Sequence, residues 1–224
     1  MSLTHPLLEQ LGVEHGFGLR GAAEPAGLLR PRQVHGRTVV TADACRTDPA
    51  PEADAVISRE PGVRVGVVTA DCVPVLCASL RGDLVAAIHV GWRGLAGGVV
   101  AASLDALRRS DERAEWVAVT GPHIGPCCYE IDDPVIDALR HELGDAVLAA
   151  LRPTRAGHGM LDLGALVAHA LESSGVTRTR IGRLPDCCTR CDTERFHSFR
   201  RDGAHAGRLI HHVAARLDRS SAHG

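Results

Sequence analysis

Val63-Arg64-Val65-Gly66-Val67-Val68, then Thr69-Ala70-Asp71-Cys72, then Val73-Pro74-Val75-Leu76-Cys77 reads as strand, polar turn and strand. Leu84-Val85-Ala86-Ala87-Ile88-His89-Val90 adds a third run. It is apolar at consecutive rather than alternate positions, the pattern of a strand covered on both faces. Pro74 has no amide hydrogen to give to a ladder, so its strand either lies at a sheet edge or begins there. Buried strands need layers above and below them, and this block therefore sets the expected architecture.

Working outward, Leu95 to Leu107 is apolar and Ala-rich and reads as a helix. Trp116 to Thr120 reads as a strand ended by Gly121-Pro122. Asp132 or Asp133 can cap a helix with Pro134 in its first turn, and Val135, Ile136, Leu139 and Leu143 recur at helical spacing. Leu161 to Leu171 suggests a further helix, while Phe196 to Arg200 and Leu209 to Val213 are short candidate strands. The stretch up to Ala55, rich in Gly, Pro and Ala, reads as loops and short strands. No repeat or long linker divides the chain. The expectation is one α+β domain over residues 1–224, a sandwich of mixed sheets flanked by helices.

Hydrophobic residues make up 45% and charged residues 23% of the 224, which places the chain among globular proteins and not disordered ones. A formal charge of −2 and only 3% aromatic residues give neither a basic footprint nor a base-stacking platform, so nucleic acid is not an expected partner. The apolar runs are too short to span a bilayer, and Met1-Ser2-Leu3-Thr4-His5-Pro6 does not resemble a signal peptide. A cytoplasmic location is expected, and there eight cysteines should be thiols or metal ligands. The sequence sets no oligomeric state.

Gly-rich phosphate loops, His-Glu-x-x-His and Gly-x-Ser-x-Gly do not occur. What remains is polar residues at the ends of apolar strands. His35, in Gln33-Val34-His35-Gly36, is followed by a glycine that lets the backbone turn and leaves the imidazole free; alone it is equally a surface or core histidine. Cys72 follows a strand at its C-terminal end, where substrates gather. It can be a nucleophile, a ligand or a small buried hydrophobe. His89 sits inside an apolar strand and needs a polar partner, either a backbone carbonyl or a metal. Together His35, Cys72 and His89 form a donor set that zinc favours, with the fourth position open as in catalytic sites. Arg93, where a helix can begin, suits an oxyanion. Asp71 adjoins Cys72, but adjacent strand residues face opposite ways, so the two can share a site only if a turn intervenes. Cys127-Cys128 and Cys187-Cys188-Thr189-Arg190-Cys191 contain a single C-x-x-C, where a structural zinc knuckle normally has two such pairs. They read as reduced structural or loop cysteines ahead of a second metal site.

Five ordered strings carry a resemblance: Gln33-Val34-His35-Gly36; Thr69-Ala70-Asp71-Cys72-Val73-Pro74-Val75-Leu76; His89-Val90-Gly91-Trp92-Arg93-Gly94; Gly121-Pro122-His123-Ile124-Gly125-Pro126-Cys127-Cys128-Tyr129-Glu130; and Phe199-Arg200-Arg201-Asp202-Gly203. The chain resembles the YfiH family, also called the laccase-domain or polyphenol oxidase family and described as purine nucleoside phosphorylases. The resemblance runs from about His15 to Arg208. It implies an α/β sandwich with zinc on His35, Cys72 and His89. It also implies cleavage of adenosine, inosine and methylthioadenosine by phosphate, with adenosine deamination as a further activity. Phe17-Gly18-Leu19-Arg20-Gly21 matches the family's opening segment in part: Ala22 replaces its second glycine, and the segment from Arg20 to His35 is short.

On this reading the partners are a small nucleoside and phosphate. Arg20 and Arg93 hold the phosphate, Cys72 is both ligand and catalytic group, and Asp71 is a candidate proton carrier or a support for a ligand. Copper is the alternative metal and would imply a polyphenol oxidase, although multicopper oxidation needs paired histidine strings and no His-x-His occurs. A hydrolase editing peptidoglycan precursors and a non-enzymatic metal-binding module are further alternatives.

Overall fold

The computed structural model describes residues 2–217. Its strands are β1 (Ser2–Leu3), β2 (Glu14–Gly18), β3 (Val39–Thr41), β4 (Ala55–Ser58), β5 (Arg64–Thr69), β6 (Val73–Ser79) and β7 (Val85–Val90), followed by β8 (Trp116–Thr120), β9 (Glu130–Asp132), β10 (Leu151–Pro153), β11 (His158–Leu161), β12 (Ile181–Arg183) and β13 (Leu209–Ala214). The helices are α1 (Pro6–Glu9), α2 (Trp92–Ala96), α3 (Val99–Ser110), α4 (Asp133–Leu143), α5 (Ala146–Ala150), α6 (Leu163–Ser173) and α7 (Phe199–Asp202). A six-stranded mixed sheet runs β12-β8-β6-β7-β4-β3, a four-stranded sheet runs β1-β2-β13-β5, and β10-β11-β9 make a small third sheet. No helix among the described residues is long and apolar enough to cross a membrane.

The consecutive apolar runs follow from a central layer with no wet face. Ala86, Ile88 and Val90 of β7, with Val73, Val75 and Cys77 of β6, pack with Leu104 and Leu107 of α3 and Leu166 and Val167 of α6. Val85 and Ala87, with Leu76 and Ala78, point the other way into a core shared with Phe17, Val65, Val67 and Val213 of the four-stranded sheet. Each strand thus feeds two cores, and its period-2 alternation is invisible because both faces are apolar. Pro74 lies near the start of β6 and not at a sheet edge: β6 pairs with β7 and β8, and β8 joins the ladder only from Val75, opposite Thr120.

Two expected elements differ. The helix expected from Leu95 to Leu107 is α2 and α3, broken at Gly97-Gly98. Gly98 adopts φ 79°, a left-handed conformation that glycine takes without a Cβ penalty. The strand expected over Phe196 to Arg200 is a loop entering α7. The Ser198 hydroxyl accepts the Arg201 amide as a helix cap, a local bond that outweighs the apolar alternation. Phe196 is buried while Phe199 is exposed.

His211 sits fully buried on β13. Its Nδ1 accepts the Gly18 amide at 3.3 Å, so Nε2–H donates to Thr69 Oγ1 at 2.9 Å. Burial pushes its pKa down to about 3 from an ordinary 6.5, with His212 and His89 adding to the effect. A depressed histidine keeps its stability above the unfolded pKa and loses it as pH falls. The contribution of His211 to stability should therefore drop by up to about 1.4 kcal/mol per pH unit from pH 6.5 downward. Urea unfolding between pH 6.5 and 4.5 checks this, and a His211→Gln variant should flatten the slope by about one proton.

Candidate metal centre and cavity

Three loops meet where β5 and β7 end. Asp71, in the β5–β6 turn, has φ 85°, and His35 has φ 59°. Both are left-handed non-glycine residues of a kind that concentrates at functional sites. The turn at Asp71 resolves the parity problem, because it lets Asp71 and Cys72 line one cavity. Pro74 lies opposite His89 and Val73 opposite Val90, so the β6–β7 pairing carries Cys72 alongside His89.

The donor atoms of His35, Cys72 and His89 all lie within 4.8 Å of one another. Cys72 Sγ is 4.0 Å from His35 Nε2. The two imidazoles meet edge to face with centroids 4.8 Å apart. Burial pushes the Cys72 thiol up, but the adjoining His35 and His89 imidazoles outweigh it and bring its pKa down to about 7. His89 moves the other way. Burial opposes its charge, yet Asp54 and Cys72 raise its pKa to about 9. Each of these two groups thus favours the charged form of the other. Tetrahedral donors at ordinary zinc distances stand about 3.3–3.6 Å apart, so a small contraction of this trio closes it on a dication.

Asp54, absent from the sequence expectations, organises the centre. It is fully buried. Its carboxylate accepts the backbone amides of Val34, His35 and Gly36 at 3.3, 2.9 and 2.6 Å. Asp54 Oδ1 also accepts His89 Nδ1–H at 2.8 Å, which fixes the tautomer and turns Nε2 toward Cys72. Burial would raise its pKa, but the His89 imidazole and the amide bonds hold it below the usual carboxylate range. Its trace in the sequence is an acidic residue opening the apolar run Ala55-Val56-Ile57.

Gly91 completes the cradle. A Cβ there would stand 3.0 Å from Cys72 Sγ and 3.1 Å from His35 Cδ2. Gly91→Ala should therefore weaken metal binding roughly 10–100-fold, as disturbed ligand orientation does. The melting temperature of the chelated protein should barely move. Competition with a chromophoric chelator measures the first quantity, and unchanged affinity would show that the cradle is not tight.

The centre opens into a cavity of about 610 Å³, lined among others by Arg32, Arg93, Arg200, Ile124, Tyr129 and Phe199. That volume lies within the range of small-molecule sites. Arg93 is the second residue of α2 and stacks over Trp92 with its guanidinium carbon 4.5 Å from the ring centroid. Arg20 is not among the lining residues; it pairs with Asp202 at 3.7 Å. Arg30, Arg32, Arg200 and Arg208 supply positive charge instead, spread too widely along the chain to stand out as a motif. Asp71 lines the cavity, but its carboxylate is engaged. Oδ1 accepts Thr189 Oγ1 at 2.5 Å, and Oδ2 accepts Ser198 Oγ at 3.1 Å and the Arg200 amide at 2.6 Å.

A family model described as a multi-copper polyphenol oxidoreductase laccase matches residues 19–216. A Pseudomonas aeruginosa purine nucleoside phosphorylase is 42% identical over 170 residues, with 75% of this chain matched; the chain spans 66% of that relative's length. An adenosine deaminase from an unknown prokaryotic organism is 33% identical over 195 residues, covering 82% of this chain and 73% of its own. The crystal structure of the Bacillus licheniformis hypothetical protein YfiH superposes with a TM-score of 0.81 at 25% identity, covering 93% of this chain and 94% of that one. The chain belongs to this laccase-described YfiH family.

Proposed function

We propose that the chain is a cytoplasmic, zinc-dependent purine nucleoside phosphorylase acting on adenosine, inosine and methylthioadenosine. The observation that carries this reading is a three-donor His/Cys/His centre opening into a cavity that offers both arginines and apolar walls. The relative named as a phosphorylase supports the reaction class. A zinc ion on His35, Cys72 and His89 would supply Lewis-acid chemistry at its open position. Arg93 holds the phosphate from the first turn of α2, in place of the expected Arg20–Arg93 pair, with Arg32 and Arg200 also lining the cavity. Tyr129, Phe199 and Ile124 give the purine an apolar bed. Phosphate oxygen bonds to C1′ as the C1′–N9 bond breaks, its electron pair leaves with the base, and the base takes up the proton that hydrogen phosphate gives up. Asp71 acts through position: with both oxygens engaged it holds the Thr189–Arg200 segment over the cavity.

Deamination is the second reading, favoured by the relative named as an adenosine deaminase. Mass spectrometry of products from a nucleoside panel, with and without phosphate, separates the two. Adenine and ribose 1-phosphate formed only with phosphate support phosphorolysis. Inosine formed regardless of phosphate would replace it with deamination, and oxygen uptake on a phenol that needs added copper would restore the oxidase.

A further inference from the structure

Next to Tyr129 in the chain, outside the His/Cys/His centre, four more cysteines converge. Cys127 and Cys128 come from the turn before β9, and Cys188 and Cys191 from the loop after β12. Their four sulfurs lie within 4.8 Å of one another. Cys127 Sγ is 3.5 Å from Cys188 Sγ and 3.6 Å from Cys191 Sγ, and Cys128 Sγ is 3.3 Å from Cys191 Sγ. We propose that these residues form a second metal site, a closed tetrathiolate that binds a structural zinc ion.

Three features argue for a metal over packed thiols. Zinc–sulfur bonds of about 2.3 Å make the edge of a tetrahedron about 3.8 Å long. The three separations given above, 3.3–3.6 Å, fall inside that edge. Four sulfurs gathered at similar spacing do not divide into pairs, whereas a disulfide draws two sulfurs together and sets the others apart. Backbone amides also face sulfur, as they do in thiolate knuckles. The Gly125 amide donates to Cys188 Sγ at 3.2 Å, and the Cys191 amide donates to the same atom. Finally, a dication with four thiolates leaves a net dianion, and Arg190 Nη1 stands 3.5 Å from Cys128 Sγ to offset it. The donors are all thiolate and leave no open position, which makes the site structural and not catalytic.

The site would clamp the loop carrying Thr189, Ser198 and Arg200 to the turn carrying Tyr129. The Arg200 guanidinium carbon lies 5.2 Å from the Tyr129 ring centroid, and its Nη1 donates to the Glu130 carbonyl. The cavity wall is thus tied to the four-cysteine cluster through Tyr129 and Arg200.

Metal counting on purified full-length protein, by elemental analysis and native mass spectrometry, tests the proposal. Wild type should carry two zinc ions, Cys72→Ala one, and the Cys188→Ser/Cys191→Ser double variant one. Cobalt-loaded wild type should show strong thiolate-to-cobalt charge-transfer bands that survive in Cys72→Ala. One zinc in wild type that vanishes in Cys72→Ala overturns the proposal; so do iron at the cluster, or a disulfide among these four cysteines in peptides mapped without reductant. One zinc retained in Cys72→Ala but lost in the double variant supports this site while overturning zinc at the His/Cys/His centre. If the double variant does not fold, X-ray absorption on Cys72→Ala decides: four sulfur neighbours support the site, and mixed nitrogen and sulfur overturn it.

Discussion

Cys72→Ala should cost on the order of 10³-fold or more in kcat/KM on adenosine while leaving the fold intact. The Lewis acidity that a zinc ion would supply here is worth several kcal/mol in transition-state stabilisation, and each 1.4 kcal/mol is tenfold in rate. Removing the thiolate leaves two imidazoles, and His89 then loses one of the two neighbours that favour its charge. Cys72 is half-buried in a cavity wall and carries no backbone duty through its side chain, so circular dichroism and the melting temperature of chelated protein should change little. Zinc content and steady-state kinetics on the same preparation check the result. A variant that keeps its metal and loses less than tenfold in rate would show that the chemistry lies elsewhere in the cavity.

Asp54→Ala should be the most damaging single change for stability near the centre. It removes the acceptor of three consecutive amides and of His89 Nδ1–H, all in a fully buried setting. Breaking such an arrangement by deleting one partner typically costs about 3–5 kcal/mol. Asp54→Asn keeps the shape and one carbonyl acceptor but turns an amide toward amides that already donate. It should retain more stability and still lose roughly 10–100-fold in metal affinity, the usual cost of removing a ligand's carboxylate partner. Chemical unfolding of the metal-free variants and zinc titration separate the two effects. Equal stability of Asp54→Ala and wild type would mean that the amides find water instead.

The buried strands were legible because sequence period and burial agree there: β5, β7 and β8 are apolar runs ended by Gly or by polar turns. The helix after Gly91 was legible as helix but not as two, since a Gly-Gly pair inside an apolar stretch weakens a helix without showing whether it breaks. Phe196 to Arg200 misled because one serine hydroxyl decided the local conformation. At the centre, His35, Cys72 and His89 were visible as polar interruptions at strand ends, and the structure brings their donor atoms together. Asp54 is not legible in the sequence, since one acid beside an apolar strand does not announce which backbone it will hold. The four-cysteine cluster was half visible: its C-x-x-C is local, but its other two sulfurs lie about sixty residues upstream, and only the folded chain closes that distance.

The ladder register opposite Pro74 also orders events in time. Cys72 and His89 sit at the open end of one antiparallel pair, and pairings of that kind close within about 1–10 μs. His35 lies on a separate loop 37 residues before Cys72, so bringing its imidazole to that pair closes a longer loop. A refolding chain therefore presents a two-donor half-site before the three-donor one. The last imidazole to arrive is also the least buried of the three ligands, so the centre is completed, and is first undone, at its solvent side.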